Sequence, residues 1–311
     1  MLVGVFGFFG IHLILWFPRS FQAIREKRRH RREAGNKLFI QRFTASQRLT
    51  HLFVIISFIL LALTGMMLKF ANMEWASRLA KMFGGVENAG NIHRFAAVIT
   101  FGYFIFHIYS LIRIKIEQKI SWKSLVFGKN TLMFNKQDLK DFWATLKWFV
   151  GLGERPPYGR WTYWEKFDYF AVFWGVAVIG FSGLILWFPE FFTSIFPGWL
   201  INVAMIIHSD EALLAVGFIF TIHFFNTHLR PDAFPIDTVI FTGKVPYEEY
   251  KHERPREFEE LEKSGKLDKV TVKEEEKGKY DRAIRIFGFT MLSIGLLLVL
   301  LIIYSMLFGY K

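Results

Sequence analysis

"NIHRFAAVITFGYFIFHIYS", residues 91–110, is almost wholly apolar, yet it holds His93 and His107 with thirteen residues between them. "IIHSDEALLAVGFIFTIHFFNTH", residues 206–228, repeats the pattern, with fourteen residues between His208 and His223. A polar side chain at membrane depth is costly, so such residues pair, line a cavity or ligate something. Positions fourteen apart on an α-helix lie about 21 Å apart along the axis and only about 40° apart around it. Fifteen apart, as His208 and His223 are, gives about 22 Å and roughly 60°, so each segment presents two imidazoles on one broad face, one near each end of a membrane-length helix.

The rest of the chain supports a membrane setting. Of 311 residues, 52% are hydrophobic and 18% aromatic, with 37 phenylalanines, a balance richer than that of soluble domains. Six apolar stretches, near 2–18, 49–68, 94–112, 167–188, 202–225 and 284–308, reach the length a spanning helix needs. The first lacks a basic leader and a small-residue cleavage site, and reads as a retained anchor. Helices satisfy their own backbone polar groups in lipid. The expected fold is thus an all-α integral membrane protein with six spans, a four-helix haem-binding bundle flanked by extra N-terminal and C-terminal transmembrane helices.

The net charge of +12 is placed asymmetrically. "RSFQAIREKRRHRREAGNKLFIQR" (19–42) is dense in arginine and lysine, and Arg113 to Lys166 carries eleven Lys/Arg against five acids. The segment 231–283 is long and highly charged, whereas the loops near 70–92 and 189–201 are nearly bare of basic residues. Basic connections mark the cytoplasmic face. This predicts N- and C-termini in the periplasm of a bacterial or archaeal cytoplasmic membrane, and it excludes nucleic acid as the partner of the charge. The expected organisation is an anchor (1–18), a basic cytoplasmic linker (19–48), a di-haem core (49–228) with a cytoplasmic interfacial segment (114–165), a charged cytoplasmic segment (229–283) and a C-terminal helix (284–311). "QDLKDFWATLKWFVGLG" (137–153) places Leu139, Phe142, Leu146 and Phe149 on one stripe and reads as an interfacial helix. Residues 247–279 read as too polar to bury a core.

The chain has no cysteine, which removes disulfides, iron–sulfur clusters and covalently attached c-type haem. Imidazole suits iron, and a carboxylate-poor site suits neither calcium nor magnesium. Two helices with paired histidines can hold two flat apolar macrocycles in a bundle, each iron between two imidazoles. The cofactor this predicts is haem b. By depth, His93 and His208 both begin their spans at the basic-poor face and pair with each other. The basic face has a surplus, His12, His51, His107 and His223, with His228 an interfacial residue.

"QRFTASQRLTHLFVIISFILLALTGMMLKF" (41–70), "NIHRFAAV" (91–98) and the 206–228 stretch resemble the di-haem cytochrome b subunits of respiratory formate dehydrogenase and nickel–iron hydrogenase, a bacterial cytochrome b561-like type. The resemblance covers roughly residues 42–228. It implies an outer pair His93–His208 and an inner pair His51–His223. His107 lies outside that pattern, and its spacing resembles the cytochrome b of quinol–cytochrome c reductases, where it would pair with His223 instead. His12 is on a span outside the family core, and a third haem between His12 and His107 is a further expectation. "HLRPDAFPIDTVIFTG" (228–243) resembles b-type subunits that accompany periplasmic multihaem c-type cytochromes.

Two haems across a bilayer join a quinone pool to a partner on the other face. The chain carries no catalytic or nucleotide-binding motif, so it reads as the electron-transfer subunit of a quinone-coupled oxidoreductase. Menaquinone or ubiquinone is the expected substrate, and a periplasmic multihaem cytochrome c or an iron–sulfur or catalytic subunit the expected partner. Quinone chemistry needs protonatable groups beside the ring. Glu165 and Asp168, opening span four, and Asn226 and His228, ending span five, are the candidates. Asp210 and Glu211 follow His208 and are placed either to bond its imidazole or to cap the helix. A quinone-independent transmembrane haem reductase is the alternative.

Overall fold

A computed structural model describes residues 2–33, 38–231, 233–234, 236–273 and 281–309. Six helices among them are long and apolar enough to cross a membrane: Val3–Phe21, Ala45–Lys69, Val86–Glu117, Tyr163–Trp187, Trp199–Leu229 and Arg282–Phe308. The chain is a mostly helical, multi-pass membrane protein built on six apolar helices, as its sequence predicts, with one small sheet added. Two of the spans are locally unwound to π geometry, at Val176–Gly180 and at Ile219–His223 followed by Phe225–Leu229. Such turns displace backbone carbonyls from the regular ladder and recur at functional sites.

The chain divides into two compact units. One comprises Met1–Leu49, Ile114–Phe170 and Ile222–Phe289; the other comprises Thr50–Arg113, Ala171–Thr221 and Thr290–Lys311. The segment 49–228, expected as one core, is therefore shared between them.

The first unit corrects two expectations. The 19–48 stretch is not a linker throughout: the first helix runs from Leu2 to Glu33 with Pro18 inside it, and a strand, β1 (Leu38–Gln41), follows. Arg, Lys and Glu are good helix formers, and one proline costs one backbone bond rather than the whole helix. The polar 247–279 region, of which 274–279 lie outside the described residues, also does bury a core through Tyr250 and Phe258. β1 pairs antiparallel with β2 (Lys244–Pro246) and with β3 (Thr271–Lys273), in the order β2-β1-β3. Over this sheet Ile40, Val245, Tyr250 and Phe258 pack together.

The charges that argued against burial are buried because they are paired. Glu165 Oε1 accepts from Arg42 at 2.7 Å and from Arg254 at 3.0 Å, while its Oε2 accepts from the Thr162 N–H and hydroxyl. Arg160 donates to Glu257 at 2.9 Å, and Tyr250 donates to the same carboxylate. An aromatic cluster of Trp16, Phe149, Tyr158, Tyr163 and Trp164 completes this unit. Phe142 and Leu146 of the expected interfacial helix (Lys136–Phe149) pack against that cluster, and of its stripe only Leu139 is exposed.

In the second unit, Met67, Ala76, Ala80 and Ala89 form the buried cluster where the second and third spans are joined by the short helix Glu74–Met82. The last span is tied in by Trp75 Nε1 donating to Ser305 Oγ and Asn72 donating to the Gly309 carbonyl, each at 2.8 Å.

Candidate haem sites

His93 and His208 face each other in the second unit, with ring centres 6.1 Å apart. A metal–imidazole bond is about 2.0 Å and a ring nitrogen lies about 1.2 Å from its ring centre, so two rings on opposite sides of one metal have centres roughly 6.4 Å apart. The pair is spaced for one iron between them.

The hydrogen bonds settle which nitrogen each ring offers. Thr64 Oγ1 gives its proton to the Leu60 carbonyl at 2.6 Å, so it accepts from His93 Nδ1 at 2.8 Å. The Ile179 carbonyl, inside the π turn, accepts from His208 Nδ1 at 2.9 Å. With both protons held on Nδ1, Nε2 keeps its lone pair on each ring. This is how ligating histidines are held elsewhere, with the second nitrogen fixing tautomer and ring orientation. Among the described residues no group of three or more His, Asp or Glu assembles to hold a bare ion. Two opposed imidazoles suit an iron whose equatorial ligands come with a macrocycle.

Glycine makes room for both rings. A Cβ built on Gly65 would lie 3.4 Å from His93 Cε1, and one on Gly183 would lie 3.0 Å from His208 Cε1. Thr64–Gly65 and Ser182–Gly183 thus form two small cradles, one on the second span and one on the fourth. Sequence reasoning missed both, and the signal that would have found them is the hydroxyl–glycine step in "LTG" and "FSG". Among the described residues Asp210 and Glu211 bond to no imidazole: Lys69 donates to Asp210 at 2.9 Å and Trp174 Nε1 to Glu211 at 3.2 Å.

The basic-loop candidates sit differently. In the first unit, His223 Nδ1 donates to Asp168 Oδ2 at 2.9 Å, again leaving the lone pair on Nε2. His228 Nδ1 accepts the Asp237 N–H at 3.3 Å, and its ring lies against Phe224. Asn226 is buried, and its Oδ1 has no hydrogen-bond partner among the described residues. Glu165 spends its oxygens on the ionic network described above. His12 is buried with Nε2 on the Tyr163 hydroxyl at 2.5 Å, its ring edge-on to Trp16, Phe149 and Tyr163. That is the packing of a core histidine, and it leaves only the buried Nδ1 for any metal. In the second unit, His51 is partly buried in the first turns of the second span, and His107 lies edge-on to Phe173 at 5.9 Å. Bound between two such imidazoles, haem supplies reversible one-electron chemistry; the protein's part is to orient the rings and exclude water.

The sequence model of prokaryotic cytochrome b561 matches residues 1–128. The chain is 26% identical over 178 residues to the cytochrome b556(fdo) subunit of Escherichia coli K12 formate dehydrogenase, covering 57% of this chain and 74% of that one. It is 24% identical over 220 residues to the nitrate-inducible b556(Fdn) subunit of the same organism, covering 70% and 89%. The corresponding Shigella flexneri subunit matches to the same extent. These findings meet the resemblance drawn from the histidine-bearing spans.

Proposed function

We propose that this chain, a membrane b-type cytochrome of electron transfer similar to the formate dehydrogenase cytochrome b subunits, carries electrons between a membrane quinone and a redox partner on the opposite face. The observation that carries this reading is the His93–His208 pair, spaced for one iron with both Nδ1 atoms committed. His51 and His223 hold the second haem, following the family pairing, and His223 is already held in the ligating tautomer by Asp168. The complement is two haems rather than three, because His12 has given its Nε2 to Tyr163. His107 then stays outside the ligand set.

The quinone belongs at the basic-loop end. There Asn226 offers a buried oxygen without a hydrogen-bond partner among the described residues, and His228, whose Nδ1 accepts the Asp237 N–H, supplies a protonatable ring. Glu165 and Asp168 are already committed to arginines and to His223, which makes them supports of that site rather than its proton carriers. The partner at the other end is a periplasmic multihaem c-type cytochrome or an iron–sulfur or catalytic subunit, with the basic loops cytoplasmic and both termini periplasmic.

Difference spectra of the purified protein test this. Dithionite should give a b-type spectrum, and a quinol analogue should reduce the same haem. Absence of haem absorbance would refute the reading. Haem that dithionite reduces and quinol does not would favour the quinone-independent reductase.

A further inference from the structure

The Nδ1 protons of three candidate ligands are held by unlike acceptors. His93 donates to a hydroxyl oxygen and His208 to a backbone carbonyl, both neutral. His223 donates to the Asp168 carboxylate. The second carboxylate oxygen, Oδ1, is buried and has no hydrogen-bond partner among the described residues. Among the described residues, Asp168 pairs ionically with His223 alone. A carboxylate held inside a span, with no arginine or lysine paired to it among the described residues, is costly unless something positive accompanies it.

We infer that Asp168 is a positioning residue for the basic-loop haem, that it strengthens His223 as a donor to iron, and that it makes this haem the more reducing of the two. The inference rests on His223 being an iron ligand, as proposed above. An anionic acceptor on Nδ1–H pushes electron density toward Nε2 and raises the basicity of the ligand. A more basic ligand stabilises ferric over ferrous iron. A ferric haem core held by two neutral imidazoles carries one net positive charge and a ferrous core none, so the Asp168 charge is compensated in the oxidised state only. Hydrogen bonding to an axial ligand is one of the protein's levers on haem potential. The hydroxyl of Thr64 and the carbonyl of Ile179 lack the charge to do the same at the other end.

The test is a potentiometric titration of the membrane-embedded full chain, following the haem spectrum with redox mediators. The wild type should show two separated midpoints. Asp168→Asn keeps the size and one acceptor oxygen but removes the charge; it should move the lower midpoint positive and leave the upper one in place. Asp168→Glu should stay close to wild type. If Asp168→Asn retains both haems with both midpoints unmoved, or moves the two equally, the inference is overturned while the functional reading stands. Should Asp168→Asn not assemble, His223→Leu and His208→Leu decide the matter. The lower-potential component should vanish in the first and survive in the second, and the reverse assignment would overturn the inference. A wild type without any b-type haem overturns this inference together with the functional reading beneath it.

Discussion

At the scale of single residues, the site depends on small atoms as much as on histidines. A side chain at Gly183 would meet the His208 ring at 3.0 Å, closer than ordinary contact, whereas one at Gly65 would meet His93 at 3.4 Å. Gly183→Val should therefore cost more haem at the His93–His208 end than Gly65→Ala, read as the low-spin absorbance per chain. Thr64→Val removes the acceptor for His93 Nδ1–H without changing the shape. Leaving a buried donor unpaired costs about 1–3 kcal/mol, and losing the partner of a ligating histidine typically costs about 10–100-fold in affinity. Haem should accordingly be lost more readily from Thr64→Val than from Thr64→Ser, measured by transfer to a haem-scavenging globin. The histidines were legible in the sequence because a polar ring in an apolar helix is conspicuous. The Ile179 carbonyl was not, since every residue has one and only the π turn at Val176–Gly180 makes this one available.

At the scale of elements, spans were readable and the sheet was not. An apolar run of some twenty residues announces itself, and the six spans fall where hydropathy puts them. β1, β2 and β3 are three or four residues long and more than 190 positions separate the first from the second, too little for a period-two signal. What anchors this region is the Glu165 carboxylate between Arg42 and Arg254, both guanidiniums buried. Removing one partner of a buried ion pair typically costs about 3–5 kcal/mol because the other charge stays behind. Glu165→Gln should thus lower the thermal stability of the protein well beyond Glu259→Gln, whose Lys263 partner is exposed. Burial, then the neighbouring Glu257, raises the Tyr250 phenol above its ordinary value. Its contribution to stability is therefore complete below the unfolded-state value near 10 and declines as pH rises beyond it, because only the unfolded chain then releases the proton. A Tyr250→Phe variant should show a flatter loss of stability above that pH.

At the scale of the whole molecule, the account requires one haem site toward each face and a fixed orientation. A cysteine at Asn88, in the basic-poor connection, should react with an impermeant reagent on intact cells, and one at Ser264 should react only after the membrane is opened; the reverse pattern would exchange the faces assigned to quinone and partner. Spacing along the third and fifth spans is what suggests a site at each end, and depth alone paired His93 with His208, whose rings the structure places 6.1 Å apart. The rest of the ligand set was not legible by depth, since four histidines crowd the basic end and only contacts distinguish His223, on a carboxylate, from His12, on a tyrosine. The most direct measurement is the haem-to-protein ratio of the purified wild type beside His93→Leu and His208→Leu. The account predicts two low-spin haems in the wild type and the same one remaining in either variant. A full complement of low-spin haem in either variant would contradict it.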